Sequence, residues 1–227
     1  MFKELLVPRS AHPKSSLLTL TYLAIMVICG PACAQFTTII DVPPARISDR
    51  RSFDSDTQIN VTVNGEVGDF VTIGTGSPTI SSNNELNLRG GTIGDSFTAT
   101  GLGNVINIRS GIVGNDFEAQ LSTVNVFGAS IGDNFRATSD SIVQFSGGSF
   151  GDGVVIDDTL TILGDDFRLN GVPIVGLDNV GDFVSLDLTA PYALTGTFQD
   201  GTPFAFSWYD GENIIADSIT LRVRNLP

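Results

Sequence analysis

The sequence predicts an all-β protein, a parallel β-helix solenoid of about five to six coils with a C-terminal antiparallel β cap. Three observations carry this. A short pattern returns four times between Glu85 and Asn170, and aligned on Gly94, Gly114, Gly132 and Gly151 its steps are 20, 18 and 19 residues. Within each repeat apolar and polar residues alternate, which is the period of a strand and not of a helix. Asp-Gly turns between alternating segments gather only in the last third, at Asp200-Gly201 and Asp210-Gly211, where they read as hairpins.

The repeats define five inward columns. Leu86, Ile106, Val124 and Val143 form the first, and Leu88, Ile108, Val126 and Phe145 the second. Ile93, Val113, Ile131 and Phe150 form the third, and Phe97, Phe117, Phe135 and Val154 the fourth. The fifth is Ala99, Ala119 and Ala137 until Ile156 arrives in the repeat where Val154 replaces phenylalanine. That paired exchange keeps the volume inside a coil constant, as close packing demands. Strands repeating at this interval pair with their equivalents one coil on, roughly 4.8 Å away. The pattern resembles right-handed parallel β-helices of the pectin-lyase-like superfold, and secreted bacterial proteins of unknown function built from such coils. The resemblance spans about 60–165 and is one of periodicity, so it implies a fold and no particular activity.

In chain order, 1–34 reads as a signal peptide. Lys3, Arg9 and Lys14 precede the apolar run Leu17–Ile28, and Ala32-Cys33-Ala34 supplies a small-x-small cleavage site. The run falls short of the roughly 20 residues that span a bilayer, so no stable membrane span is expected after cleavage. The expected address is secreted, periplasmic or cell surface. Removal of 1–34 takes both cysteines, the only histidine and every lysine. A disulfide, a thiolate nucleophile, a Ser-His triad, a histidine-bound zinc and a lysine Schiff base are thereby excluded. Nine arginines then face 24 acids, a field that repels nucleic acid and favours cations.

Residues 35–57, with Pro43-Pro44 and Arg46, Arg50 and Arg51, read as an irregular lead-in or N-cap over the open end of the first coil. The β-helix repeats occupy 58–170. Their first coil, Ile59 to Phe70, is followed by an insertion over Gly74–Asn84, since Phe70 to Phe97 is longer than the usual step. From 171 to 227 longer amphipathic strands form the cap, which closes the end and blocks end-to-end polymerisation.

Four sets of residues carry candidate chemistry. The Gly-Asp corner recurs at Asp69, Asp95, Asp133 and Asp152, with Asn115 standing in once. Stacked carboxylates repel by about 0.9 kcal/mol per pair in water at 4.8 Å, so something must offset them. Either each accepts a backbone N–H in its own turn, or calcium lies against acids such as Asp152, Asp157, Asp158, Asp165 and Asp166. Asn87, Asn107, Asn125 and Gln144 form an outward amide file, either a ladder along the axis or a face for a sugar polymer. Arg89 and Arg109 share a register position, and Glu118 and Arg136 share another. The reading that follows is a structural or interaction module that meets polysaccharide or other cell-surface components, with calcium as its only candidate cofactor. The alternative implied by the resemblance is a carbohydrate-active enzyme using the same aspartates as general acid and base.

Overall fold

A computed structural model describes residues 36–74, 82–188, 191–208 and 215–224. The signal segment 1–34, most of the 74–84 insertion and the Asp210-Gly211 turn lie outside them. The chain forms a parallel β-solenoid of about six turns with antiparallel strands at the C-terminal end. Among the described residues no helix is long and apolar enough to cross a membrane.

Each coil contributes up to three short strands, and each strand pairs in parallel with its equivalent in the next coil. On the first side Thr57–Thr62, Glu85–Ile93, Val105–Val113, Thr123–Val126 and Ile142–Phe145 stack in order. The register sets Ile59 against Leu86, Leu86 against Ile106, Ile106 against Val124 and Val124 against Val143. On the third side Thr72–Ile73, Thr98–Thr100, Glu118–Gln120 and Arg136–Thr138 stack likewise. All five predicted columns are therefore real, and their members are buried apart from Phe150, which is half-buried.

The phenylalanine column shows how the stacking is held. Phe97 and Phe117 lie with ring centroids 5.6 Å apart, and Phe117 and Phe135 5.1 Å apart with their planes nearly parallel. These are the separations of offset aromatic pairs at coil spacing. Phe135 then meets the edge of Phe145 at 5.8 Å, which opens an aromatic cluster of Phe145, Phe150, Phe198, Phe204 and Phe206 beneath the cap.

Three elements differ from the sequence reading. The lead-in over 35–57 is itself a coil: Thr38–Val42 pairs with Thr57–Thr62 residue for residue, Ile47 bridges Val67, and Ser52–Phe53 pairs with Thr72–Ile73. Its two prolines and scattered charges obscured a repeat that the backbone keeps. Phe70 does not join the phenylalanine column, because Thr98 donates to the Val71 carbonyl and places buried Val71 beneath Phe97. Phe70 sits one position earlier, at φ 56° and 51% exposed. Finally, Ile215–Val223 does not belong wholly to the antiparallel group. It pairs in parallel with Val155–Leu169, setting Ile219 on Leu160 and Leu221 on Ile162, so the first two columns gain another rung from the chain's last strand.

The antiparallel strands lie around that rung. Phe183–Leu186 pairs with its outer edge, and the hairpin Tyr192–Phe198/Pro203–Trp208 pairs with Val155–Leu169. The expected Asp200-Gly201 turn is present and docks: Asp200 Oδ2 accepts from the Gly148 N–H at 3.1 Å, and the Asp200 N–H donates to the Ser146 carbonyl. A side chain at Gly147 would collide with that carboxylate. Burial holds the Tyr192 phenol above the usual tyrosine range. Its folded pKa exceeds the unfolded one, so the stability it contributes is present below the ordinary tyrosine pKa and declines as pH rises through the folded value.

Phe117→Ala, which removes the middle ring of the stack, is expected to cost about 3–5 kcal/mol. Equilibrium denaturation in urea of wild type and variant measures it, and a cost below about 1 kcal/mol would show that the column does not bear on stability.

Candidate functional site

The Gly-Asp corner is a chain of hydrogen bonds between coils. Asp49 Oδ1 accepts from the Asp69 N–H at 3.2 Å, Asp69 Oδ1 from Asp95 at 2.9 Å, and Asp95 Oδ1 from Asn115 at 2.7 Å. Asn115 Oδ1 then accepts from Asp133, and Asp133 Oδ1 from Asp152, both at 2.9 Å. Each acceptor therefore binds the N–H of its equivalent one coil later and not, as expected, an N–H in its own turn. The glycine before each aspartate follows from the same geometry. A Cβ on Gly68, Gly94, Gly114, Gly132 or Gly151 would fall on the Oδ1 reaching up from the coil below and on backbone beside it. None of the five has a positive φ, so close approach and not conformational freedom demands glycine there. Aspartate and asparagine each supply the required oxygen, which explains why Asn115 is accepted.

The residue after each aspartate occupies the left-handed region: Arg50, Phe70, Ser96, Asp116, Asn134 and Gly153. Serine, aspartate, asparagine and glycine suit that conformation, and bulky residues do so at a cost. Arg50 and Phe70 are the exceptions. They pair with each other, the guanidinium carbon lying 5.1 Å from the ring centroid.

The amide file is the second ladder. Asn60 Nδ2 donates to Asp41 Oδ1 at 3.0 Å, Asn87 to Asn60 at 3.1 Å, Asn107 to Asn87 at 3.1 Å and Asn125 to Asn107 at 3.0 Å. Asn87 is buried within it. Gln144 takes the next register position above Asn125, but the chain of amide bonds ends at Asn125 among the described residues. A third polar file runs inside the coil corner. The Thr57 N–H donates to Asn84 Oδ1 and the Asn84 N–H to Asn104 Oδ1, with Ser122 and Ser141 buried above them. Sequence reading missed it, since single Asn and Ser residues at loop positions look like solvated turns.

The remaining predicted residues divide. Glu118 and Arg136 do share a register position. Arg89 and Arg109 do not: an irregularity after Leu88 sets Arg89 opposite Ser110, and Arg109 lies over the Phe127 ring at 4.4 Å. Asp152 ends the corner ladder. Asp157 and Asp158 lie where the pairing of Val155–Leu169 with the last strand slips, and Asp165 Oδ1 accepts from the Asp166 N–H. Among the described residues, no three aspartate, glutamate, histidine or cysteine side chains form a group able to hold a metal.

Two of the hollows among the described residues bear on function. One, about 290 Å³, is lined by Asp165, Asp166, Arg168 and Asp178 over Phe167 and Ile174. The other is a groove of about 550 Å³ crossing three successive coils. Its floor is Gly65, Gly91 and Gly111, and its walls include Val63 and Ile112, 66% and 54% exposed, with Asn64, Glu66 and Thr92. Glu66 pairs with Arg46 at 2.6 Å. No protein family, characterised protein or solved structure matches this chain. Its own geometry therefore carries the functional argument.

Two substitutions separate a structural corner from a calcium site. Asp95→Asn retains the acceptor and is expected to leave stability unchanged within about 0.5 kcal/mol, whereas Asp95→Ala loses about 1 kcal/mol. If calcium used the corner, Asp95→Asn would abolish a calcium-dependent rise in melting temperature. At the strained position Phe70→Asn is expected to stabilise the protein by up to about 1 kcal/mol, read as a higher urea midpoint.

Proposed function

We propose that this protein is an extracellular, non-catalytic interaction module, a rigid acidic β-solenoid that holds polysaccharide against its side. The observation that carries the reading is the use to which the repeated polar residues are put. The corner aspartates and the outward asparagines are consumed in hydrogen bonds between coils, which makes them struts. The groove floored by Gly65, Gly91 and Gly111 is open in contrast, although the glycines themselves serve the stacking, since a Cβ on each would meet backbone of the coil below. Val63 and Ile112 offer aliphatic surface to the C–H faces of sugar rings, while Asn64, Thr92 and Glu66 offer hydroxyl partners. Beyond residue 34 the excess of 24 acids over nine arginines disfavours polyanions, so the ligand class is a neutral glycan.

A second reading has one observation in its favour. The hollow at Asp165, Asp166, Arg168 and Asp178 brings carboxylates and an arginine together beside the cap, the residue types that the pectin-lyase-like resemblance associates with cleavage of polysaccharide.

Binding to a panel of neutral and acidic polysaccharides, followed by a reducing-end and unsaturated-product assay, separates the two. Neutral glycans are expected to bind without turnover, and Ile112→Asp to weaken binding at least about tenfold with an unchanged melting temperature. Turnover that Asp165→Asn or Asp166→Asn abolishes would establish the enzyme instead.

A further inference from the structure

The two ends of the solenoid are built differently. At the C-terminal end the last parallel rung, Ile215–Val223, has its outer edge covered by the antiparallel strand Phe183–Leu186. At the N-terminal end the first rung, Thr38–Val42, pairs with Thr57–Thr62 and with no other strand among the described residues. Its hydrogen-bonding parity is that of its equivalents: the N–H groups of Val105, Thr123 and Ile142, which share the register position of Ile39, donate to the coil below, to the Asn84, Asn104 and Ser122 carbonyls. In a parallel ladder the residues facing a given neighbour alternate, so Thr38, Ile40 and Val42 bond to the second coil. The N–H and C=O groups of Ile39 and Asp41 point out of the end of the stack.

Among the described residues the core is also only partly covered there. Ile40 stands in the same column as Ile59 and Leu86, and Phe53 in the same column as Ile73 and Ala99. The later members are fully buried, whereas Ile40 and Phe53 are only partly buried. Ile39, beside them on the edge strand, is 60% exposed. An unpaired edge bordered by apolar surface is a template for another strand.

Charge selects the partner. The first coil, 36–56, carries three arginines against four aspartates, while from Thr57 onward there are six arginines against twenty acids. The N-terminal end is thus the near-neutral part of a strongly acidic chain, where a second acidic copy can approach with least repulsion. Charges of both signs, Arg50 and Arg51 beside Asp49, Asp54 and Asp56, are also what a patch needs to be complementary to itself. A two-fold axis through the end would bring two first rungs together in antiparallel orientation, the isologous arrangement of most dimers.

We propose that the N-terminal end is a homodimer interface in which Thr38–Val42 of one copy pairs antiparallel with Thr38–Val42 of a second, burying Ile40 and Phe53. The pairing continues the ladder across the two-fold through the backbone groups of Ile39 and Asp41.

Sedimentation equilibrium on the protein as purified from cells, its N-terminus read by mass spectrometry, tests this together with hydrogen exchange at rising concentration. The expected result is a concentration-dependent dimer in which the Ile39 and Asp41 amides gain protection. Ile39→Pro removes an N–H that the fold does not use, and Ile39→Asp sets a carboxylate opposite the partner's Asp41; each is expected to return the mass to that of a monomer without altering the circular dichroism spectrum. Val175→Lys, at the opposite end, is expected to leave the dimer intact. A chain that stays monomeric at all concentrations would overturn the proposal. So would a dimer that leaves both amides unprotected, or one that Val175→Lys disrupts and both Ile39 variants spare.

Discussion

Every part of this structure answers to vertical register: each residue must tolerate its equivalent one coil above and one below. Parallel stacking offers few ways of meeting that demand. Apolar side chains pile into columns, and aromatic rings lie offset on one another. Polar groups meet it only if each can both give and receive along the axis, as amides do, or if an acceptor reaches a backbone N–H of the next coil. The asparagine file uses the first arrangement and the Gly-Asp corner the second. A file of aspartates that bonded only within its own turns would leave the stacked charges facing one another with nothing between coils to offset them.

The corner shows how one contact dictates a dipeptide. Once the Asp95 carboxylate reaches up to the Asn115 N–H, the residue before Asn115 loses the space for a Cβ and must be Gly114. The same dependence recurs down the stack, which is why glycine and aspartate return together. The residue that follows is freer. It needs only a left-handed backbone, and the chain supplies serine, aspartate, asparagine and glycine there in the later coils. Arg50 and Phe70 depart from that rule side by side, and their mutual contact is the visible compensation.

The ends follow from the same constraint. Stacking satisfies the interior of the column and leaves its terminal faces with unpaired edges and half-covered core. The C-terminal end answers with antiparallel strands, a docked Asp200 turn and a cluster of phenylalanines. The N-terminal coil keeps the register of its neighbours but meets solvent with Ile40 and Phe53.

The repeat columns, the hairpin turn at Asp200-Gly201 and the amide ladder up to Asn125 were legible in the chain because each depends on spacing alone, and spacing is what a linear sequence records. Two other features depended on which atoms meet across coils. The first coil hid behind two prolines, since a strand retains its register wherever its own backbone bonds survive. Phe70 lost its expected place because a one-residue shift reverses the face of a strand, and that shift was decided by the Thr98 to Val71 bond. By itself the sequence determined that equivalent residues stack; only the tertiary structure decided which oxygen binds which N–H between them, because that choice turns on sub-ångström approach between coils and leaves no trace in residue order.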